Sequence, residues 1–220
     1  MSFPADRHFR DRTDAGRQLA AAVKTLRHED PLILALPRGG VPVAAEIAAA
    51  LEAPMDLLFS RKIGAPGHAE YGLGAVVEGP EPQVVLNPEA MAYVRPPLGY
   101  VEEQTARELA EIARRRKAYL DGRPPPVVSG RTVILVDDGI ATGGTVRAAL
   151  QALRKGGAKR IVLAVPVAPA ETLASLRPEA DDIVCLLTPS PFFSVGEHYR
   201  DFTQVSDDAV RALLQGPASR

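Results

Sequence analysis

The chain has 220 residues, 46% of them hydrophobic and 24% charged, which predicts one globular domain over residues 1–220. The formal net charge of −1 excludes a general attraction for nucleic acid or anionic membranes, so an anionic ligand would need a local set of donors. The lone Cys185, in the apolar run DIVCLL, is expected to pack in the core. The lone thiol and the lack of a secretory or membrane-spanning stretch predict a cytoplasmic protein.

Strand and helix patterns alternate along the chain. The predicted strands are LILAL (32–36), MDLLFS (55–60), AVVE (75–78), QVVLN (83–87), TVILV (132–136), RIVLAVPV (160–167) and DIVCLL (182–187). The predicted helices are 14–27 behind a Thr13 cap, 41–52, a polar helix at 99–120, 145–157, 170–176 and 206–214. Continuous apolar strands joined by helices predict an α/β fold in which helices cover both faces of a parallel sheet.

The stretch at about 61–75 holds four glycines and one proline between two strand patterns. This composition predicts a mobile loop, of the kind that closes as a lid. Arg61 and Lys62 stand at its start, where they either close over an anion or form an ordinary solvated pair. The RRRK run at 114–117 is interpreted as solvated surface, because no basic and aromatic set accompanies it, so no nucleic-acid partner is expected.

Two adjacent aspartates follow the buried strand in the stretch VILVDDGIATGGT (133–145). In an open parallel sheet, ligands bind beyond the carboxyl ends of the strands, where loops lead into helices. Asp137 and Asp138 would repel a phosphate there. They are suited instead to accept hydrogen bonds from vicinal hydroxyls or to support a metal ion.

The turn that follows the aspartates is suited to an anion rather than to hydroxyls or a cation. Its backbone N–H groups would point outward at the start of a helix, which suits a phosphate. The residues of this turn are Ala141, Thr142, Gly143, Gly144 and Thr145. A sugar phosphate satisfies both halves of the motif, whereas a surface loop with ordinary turn glycines and capping aspartates is the alternative. Neither a Walker P-loop nor a dinucleotide fingerprint is present.

With these residues the chain resembles the type I phosphoribosyltransferase family. VILVDDGIATGGT is similar to that family's signature for phosphoribosyl pyrophosphate, and LALPRGGVPVA (34–44) is similar to its pyrophosphate-contacting loop. RKIGAPGHAEYGLGAV occupies the place of its flexible catalytic loop. A narrower likeness, which includes FRDRTDAGRQLA, is to bacterial proteins described only as predicted phosphoribosyltransferases.

The resemblance implies a parallel-sheet type I phosphoribosyltransferase fold with a flexible loop at about 61–75, an inserted polar helix at about 99–120 and a small hood at about 188–205. It implies that Asp137 and Asp138 hold the ribose hydroxyls and that the turn from Ala141 to Thr145 binds the 5′-phosphate. The residues implied to face the pyrophosphate are Arg38, Gly39, Gly40, Arg61 and Lys62. Asp137, Asp138, Arg38 and Lys62 are the implied catalytic residues, with Mg²⁺ brought in by the substrate.

The hood, in PSPFFSVGEHYRDF, is expected to receive the acceptor. Phe192 or Phe193 either stacks on a flat base or packs in the core, and Glu197, His198 and Asp201 either read ring nitrogens or are solvated. Enzymes of this family that act on 6-oxopurines carry an aspartate where this chain has Ala141, so the resemblance does not name the acceptor.

The expected function is Mg²⁺-dependent transfer of a 5-phosphoribosyl group from phosphoribosyl pyrophosphate to a nitrogenous base, with release of pyrophosphate, as in nucleotide metabolism. The alternative is a non-catalytic regulatory protein that binds phosphoribosyl pyrophosphate or a nucleotide. The histidines lack metal-ligand spacing, so no protein-held metal is expected. A homodimer is a further possibility, since folds of this kind often pair.

Overall fold

The computed structural model describes residues 8–215, with the side chain of Glu70 excepted. The helices are α1 (Arg12–Ala22), α2 (Gly40–Leu51), α3 (Pro88–Val94), α4 (Tyr100–Leu120), α5 (Gly144–Lys155), α6 (Ala170–Leu176) and α7 (Asp207–Leu214). The strands are β1 (Leu32–Ala35), β2 (Met55–Leu57), β3 (Ser60–Ala65), β4 (His68–Val77), β5 (Gln83–Leu86), β6 (Thr132–Val136), β7 (Arg160–Val167) and β8 (Asp182–Leu187). The polar helix predicted from Gly99 is α4.

The central sheet contains five parallel strands in the order β2-β1-β6-β7-β8. Alternate side chains of its strands point to opposite faces. Ile33 and Ile134 pack on one face with residues of α1, α2 and α7, while Leu34 and Leu135 pack on the other with α5. Helices therefore cover both faces, and the predicted fold class is confirmed.

The segment predicted as an irregular loop is a β hairpin instead. β3 and β4 pair antiparallel from Ser60–Val77 to Ala65–His68, and β5 joins them in a second sheet that the sequence reading did not predict. The glycines serve close packing of strands: a Cβ on Gly64 would lie 2.6 Å from the Ala69 carbonyl oxygen, and one on Gly74 would lie 2.2 Å from that of Val85. Whether the hairpin moves stays a prediction.

Of two local predictions, the helix cap differs from the structure and the cysteine agrees with it. The N-cap of α1 is Asp11 rather than Thr13, because the Asp11 carboxylate accepts a hydrogen bond from the Asp14 N–H at 2.7 Å. Cys185 is partly buried against the α5 side of the core, and burial raises the pKa of its thiol to about 11. The prediction of a packing cysteine is confirmed.

Arg116 shows that the RRRK run is not wholly solvated surface. Only 5% of this residue is exposed. Its guanidinium donates to the Asp56 carboxylate at 3.0 Å and to the Glu78 carboxylate at 2.8 Å, and it also contacts the carbonyl oxygens of Arg123 and Pro124. α4 packs against β3 and β4. Arg116 faces the interior there, and the buried cation is balanced by two carboxylates.

Among residues 8–215, no helix is both long enough and apolar enough to cross a membrane.

Burial of Glu78 predicts a pH-dependent stability. Burial outweighs the attraction of Arg116 and raises the pKa of Glu78 from 4.5 to about 7. A raised pKa means that the folded state holds this proton more tightly, so its contribution is complete below pH 4.5 and is lost as the pH rises to about 7. We expect the difference in unfolding free energy between the wild type and Glu78→Gln to fall by up to about 3 kcal/mol over that interval.

Urea denaturation followed by circular dichroism, at half-unit pH steps, measures this difference. Glu81→Gln, a nearby exposed carboxylate, is the matched control. A difference that stays constant or grows with pH would contradict the assignment.

Candidate active site

The candidate site lies at the carboxyl edge of the central sheet, where β1 and β6 end side by side. Ala35 is paired with Val136, and the Leu36 N–H donates to the Val136 carbonyl at 2.9 Å. Asp137 and Asp138 therefore emerge next to the turn that contains Arg38, Gly39 and Gly40. Hydrogen bonding between the two strands brings together two motifs that are about a hundred residues apart in the sequence.

Both glycines of this turn are needed for its approach to the aspartates. A Cβ on Gly39 would lie 2.0 Å from the Oδ2 atom of Asp138, and a Cβ on Gly40 would lie 2.7 Å from the Val136 carbonyl oxygen. Gly39 has φ −61°, so it is required by space rather than by backbone conformation. The turn lies directly against the carboxylate of Asp138.

The phosphate-binding turn predicted from the sequence forms the start of α5. Gly143 has φ +77°, a left-handed conformation that favours glycine, and no side chain caps this helix. Thr142, Gly144 and Thr145 are exposed. Thr172 of α6 holds the turn in place, since its hydroxyl donates to the Ala141 carbonyl at 2.8 Å. Uncapped N–H groups and the positive end of the helix dipole make this turn suited to an anion.

Asp137 carries a strongly perturbed carboxyl group. Burial raises the pKa of Asp137 well above its usual range, the negative charge of Asp138 raises it further, and the Asp138 N–H counteracts both by donating to the Asp137 carboxylate at 2.9 Å. Two adjacent carboxylates in a partly buried position are costly unless a cation or a hydrogen-bond donor faces them. Such a pair is suited to hydroxyl groups or to a divalent cation.

The sequence reading missed Arg12, which contacts the site from α1. Its Nε donates to the Oδ2 atom of Asp138 at 2.7 Å. On the other side, the Tyr199 hydroxyl donates to the Asp138 carbonyl at 2.6 Å. The sequence held one signal for Arg12. A cation in the first turn of a helix is unfavourable because of the helix dipole, so an arginine there suggests an interaction elsewhere in the fold.

Arg38 projects from its turn toward α7. Its guanidinium donates to the Asp207 carboxylate at 3.2 Å, and the Tyr119 hydroxyl donates to the same carboxylate at 2.6 Å. The hydrogen bonds from Tyr119 and then from Arg38 lower the pKa of Asp207. The backbone of Arg38 is beside the aspartates, while its charge is held by a surface ion pair.

Arg61 and Lys62 stand at the start of the hairpin, and Arg61 faces α4. Arg61 donates to the Glu108 carboxylate at 2.7 Å, and Tyr100 donates to the Gly64 carbonyl at 3.0 Å. Arg61 and Lys62 also line a cavity of about 500 Å³ between the hairpin and α4. In this conformation Arg61 pairs with α4 rather than with Asp137 and Asp138.

The predicted hood covers the loop that follows Asp138. A Cβ on Gly139 would lie 2.5 Å from the Cγ1 atom of Val195, so the two segments are in close contact. Phe192 stacks on His198 with ring centroids 5.4 Å apart, whereas Phe193 is 76% exposed. Phe192 therefore packs within the hood, and Phe193 is the ring that remains open to solvent.

The polar hood residues have different surroundings. Glu197 is exposed, and the Asp201 carboxylate accepts hydrogen bonds from the N–H and hydroxyl of Thr203. The Nε2 atom of His198 is buried and has no hydrogen-bond partner among the described residues, and burial lowers the pKa of His198.

A comparison with protein-family models assigns residues 11–201 to the phosphoribosyl transferase domain. The chain belongs to the phosphoribosyl transferase family. The match covers the aspartate pair, the turn of Gly39 and Gly40, the start of α5 and most of the hood. The resemblance inferred from the sequence motifs is thus confirmed.

Individual relatives agree with this membership. A Mycobacterium tuberculosis protein named "Putative phosphoribosyl transferase" is 44% identical over 206 residues, which are 94% of this chain and 46% of that protein. The chain therefore spans about half the length of this curated relative. A ribose-phosphate pyrophosphokinase of Parasynechococcus marenigrum is 31% identical over 143 residues, 64% of this chain and 41% of that protein.

A solved structure shows the same fold. The crystal structure of TT1426 from Thermus thermophilus superposes with a TM-score of 0.81 and is 44% identical, covering 94% of this chain and 97% of that chain.

Within residues 8–215 no group of three or more histidine, cysteine, aspartate or glutamate side chains is placed to hold a metal ion.

The contact between Gly39 and Asp138 predicts a specific loss of stability. We expect Gly39→Ala to lower the free energy of unfolding by about 1–3 kcal/mol, because the added methyl group must displace a carboxylate held by Arg12. Gly144→Ala is the matched control, since its Cβ would meet nothing within 4 Å and alanine is favoured over glycine in a helix.

Urea denaturation of both variants measures these changes. Equal stabilities for the two variants would show that a side chain at Gly39 does not clash with Asp138.

Proposed function

We propose that the protein transfers the 5-phosphoribosyl group of phosphoribosyl pyrophosphate to a nitrogenous acceptor, a nucleobase or a related compound, with release of pyrophosphate. The observation that carries the proposal is the aspartate pair between two glycine-containing turns. The pair suits the ribose hydroxyls, and the two turns suit the phosphate groups at either end of the sugar.

The start of α5 would bind the 5′-phosphate. Its N–H groups are uncapped, and the hydroxyls of Thr142 and Thr145 add donors. Asp137 and Asp138 would accept hydrogen bonds from the 2′- and 3′-hydroxyls of the ribose. These contacts would hold the sugar so that its C1′ atom lies toward the turn of Gly39 and Gly40.

The pyrophosphate would lie against that turn. As the bond from C1′ to the pyrophosphate oxygen breaks, positive charge develops on the sugar and negative charge on the leaving group. The N–H group of Gly39 could face this negative charge, whereas the Gly40 N–H already donates to the Leu36 carbonyl at 3.1 Å. The acceptor nitrogen then forms the new bond to C1′, and its proton passes to the released pyrophosphate or to water.

Arg38 and Arg61 would assist only after leaving their present partners, Asp207 and Glu108. Both pairs are partly exposed, and exposed ion pairs contribute little stability, so a pyrophosphate can compete for the two cations. Movement of the hairpin would also carry Lys62 toward the leaving group and exclude water, which otherwise hydrolyses the activated sugar.

A Mg²⁺ ion that arrives with the substrate fits the aspartate pair. Burial and the charge of Asp138 raise the pKa of Asp137, and a divalent cation would relieve this repulsion. When bound, the ion would neutralise negative charge on the pyrophosphate. A cytoplasmic location and a homodimer stay predictions.

One observation favours the alternative of a regulatory binding protein. Two of the three cations assigned to the pyrophosphate, Arg38 and Arg61, are paired with carboxylates outside the sugar site. A protein that binds phosphoribosyl pyrophosphate without transferring it would need no movement of either. Measurement of product formation separates the two functions.

The first test is pyrophosphate release from Mg²⁺–phosphoribosyl pyrophosphate with a panel of purine, pyrimidine and nicotinic-type bases, with the product mass recorded. We expect release with at least one acceptor. Asp137→Asn combined with Asp138→Asn should abolish binding of phosphoribosyl pyrophosphate in calorimetry, because each amide has one acceptor oxygen instead of two and lacks the negative charge that strengthens hydrogen bonds from the hydroxyls.

Three results would be informative. Binding without turnover across the panel would support the regulatory alternative. Unchanged affinity in the folded double variant would contradict the assignment of the sugar site, and release with one base would identify the acceptor.

The hairpin generates a second functional prediction. We expect Lys62→Ala to lower kcat by at least about tenfold with little change in the affinity for phosphoribosyl pyrophosphate, because its charge is needed when the leaving group departs. Lys159→Ala, at the opposite end of the sheet before β7, is the control. Equal losses of kcat and affinity would show instead that Lys62 only anchors the substrate.

A further inference from the structure

Arg12 connects α1 to two distant parts of the chain, the aspartate pair and the hood. Its Nε donates to Asp138 at 2.7 Å, and its Nη1 donates to the Thr203 carbonyl at 2.9 Å. The guanidinium also lies over the ring of Phe202, 3.9 Å from the centroid. The side chains of Arg12 and Asp138 are only 10% and 14% exposed. In this setting an ion pair is well shielded from water and has a defined geometry.

The hood holds the other side of Asp138. The Tyr199 hydroxyl donates to the Asp138 carbonyl at 2.6 Å, and the Tyr199 ring packs against Phe9 and Phe202. The backbone of Phe9 is hydrogen-bonded to the hood at His198 and Arg200. The N-terminal segment, Asp138 and the hood are therefore one connected unit.

This arrangement sets the orientation of the Asp138 carboxylate. Arg12 occupies Oδ2, and the backbone of Gly39 lies against the same side of the group. Oδ1 is then the less obstructed acceptor for a ligand hydroxyl. Without Arg12, the carboxylate would be free to rotate about its χ angles, and its repulsion by Asp137 would favour other rotamers.

We propose that Arg12 is a positioning residue, which orients Asp138 for a ribose hydroxyl and couples that carboxylate to the hood. This inference rests on the proposed function, because it takes a pentose phosphate as the ligand. Arg12 touches no substrate atom in this scheme. It acts through Asp138, and it makes recognition of the sugar hydroxyls depend on the position of the hood.

An arginine is required for this role. Its planar guanidinium can donate in two directions and stack on Phe202 at the same time. A lysine at this position would keep the charge, but its ammonium group cannot stack as a plane or hold Asp138 and the Thr203 carbonyl with the same geometry. The substitution Arg12→Lys therefore separates geometry from charge.

The test compares sugars of equal charge. Calorimetry with Mg²⁺ measures the affinities of ribose 5-phosphate, 2-deoxyribose 5-phosphate and 3-deoxyribose 5-phosphate for the full chain. We expect the wild type to prefer ribose 5-phosphate over at least one deoxy sugar by about tenfold or more, as for a hydrogen bond to a charged group. In Arg12→Gln and Arg12→Lys this preference should fall below about threefold.

Because the three ligands carry the same charge, a general electrostatic effect of the substitutions cancels from the ratio. Arg17→Gln is the matched control: it removes an exposed arginine of the same helix that pairs with Glu46, and it should keep the wild-type preference. If Arg12→Gln fails to fold, Arg12→Lys carries the test, because it keeps a positive charge beside Asp138 and changes its geometry.

The outcomes distinguish the two proposals. A wild type that does not bind ribose 5-phosphate, or that does not discriminate among the sugars, overturns the assignment of the hydroxyl site and this inference with it. A wild type that discriminates, with variants that keep the same preference, overturns the role of Arg12 alone. Full retention of the preference in Arg12→Lys would show that charge suffices and would overturn the positioning role.

Discussion

Two neighbouring carboxylates at the end of a buried strand are the constraint around which the site is built. Asp137 and Asp138 repel each other in a partly buried position, and burial raises the pKa of Asp137. The protein offsets this with the guanidinium of Arg12, from a distant part of the chain, and with the Asp138 N–H, which donates to the Asp137 carboxylate. The carboxylate oxygens that have no donor face the edge of the sheet, where ligand hydroxyls or a cation can bind them.

The same constraint explains the surroundings of the pair. The turn of Gly39 and Gly40 can lie against Asp138 because it has no side chains there. The uncapped start of α5 supplies positive potential beside the negative pair. A ligand with hydroxyls between two phosphates matches this alternation of charge, whereas a simple anion or a simple cation would match only half of it.

The two arginines assigned to the pyrophosphate, Arg38 and Arg61, would have to change conformation to reach it. Arg38 pairs with Asp207 of α7, and Arg61 pairs with Glu108 of α4. Both ion pairs are partly exposed, and such pairs contribute little stability in water. Transfer chemistry needs such charges at the leaving group, whereas simple binding does not. Opening of these two ion pairs is therefore expected for the proposed transfer and not for binding alone.

The strands of the central sheet, the α-helices other than α3, the aspartate pair and the start of α5 were predictable from the sequence. Each depends on neighbouring residues: apolar runs, a carboxylate after a strand, glycines before a helix. The hairpin at 60–77 was misread because glycines that mark loops also permit close strands. The burial of Arg116 and the contact of Arg12 with Asp138 were decided only by the tertiary structure. Packing between elements distant in the sequence sets both, and no local pattern encodes which surface a charged side chain will face.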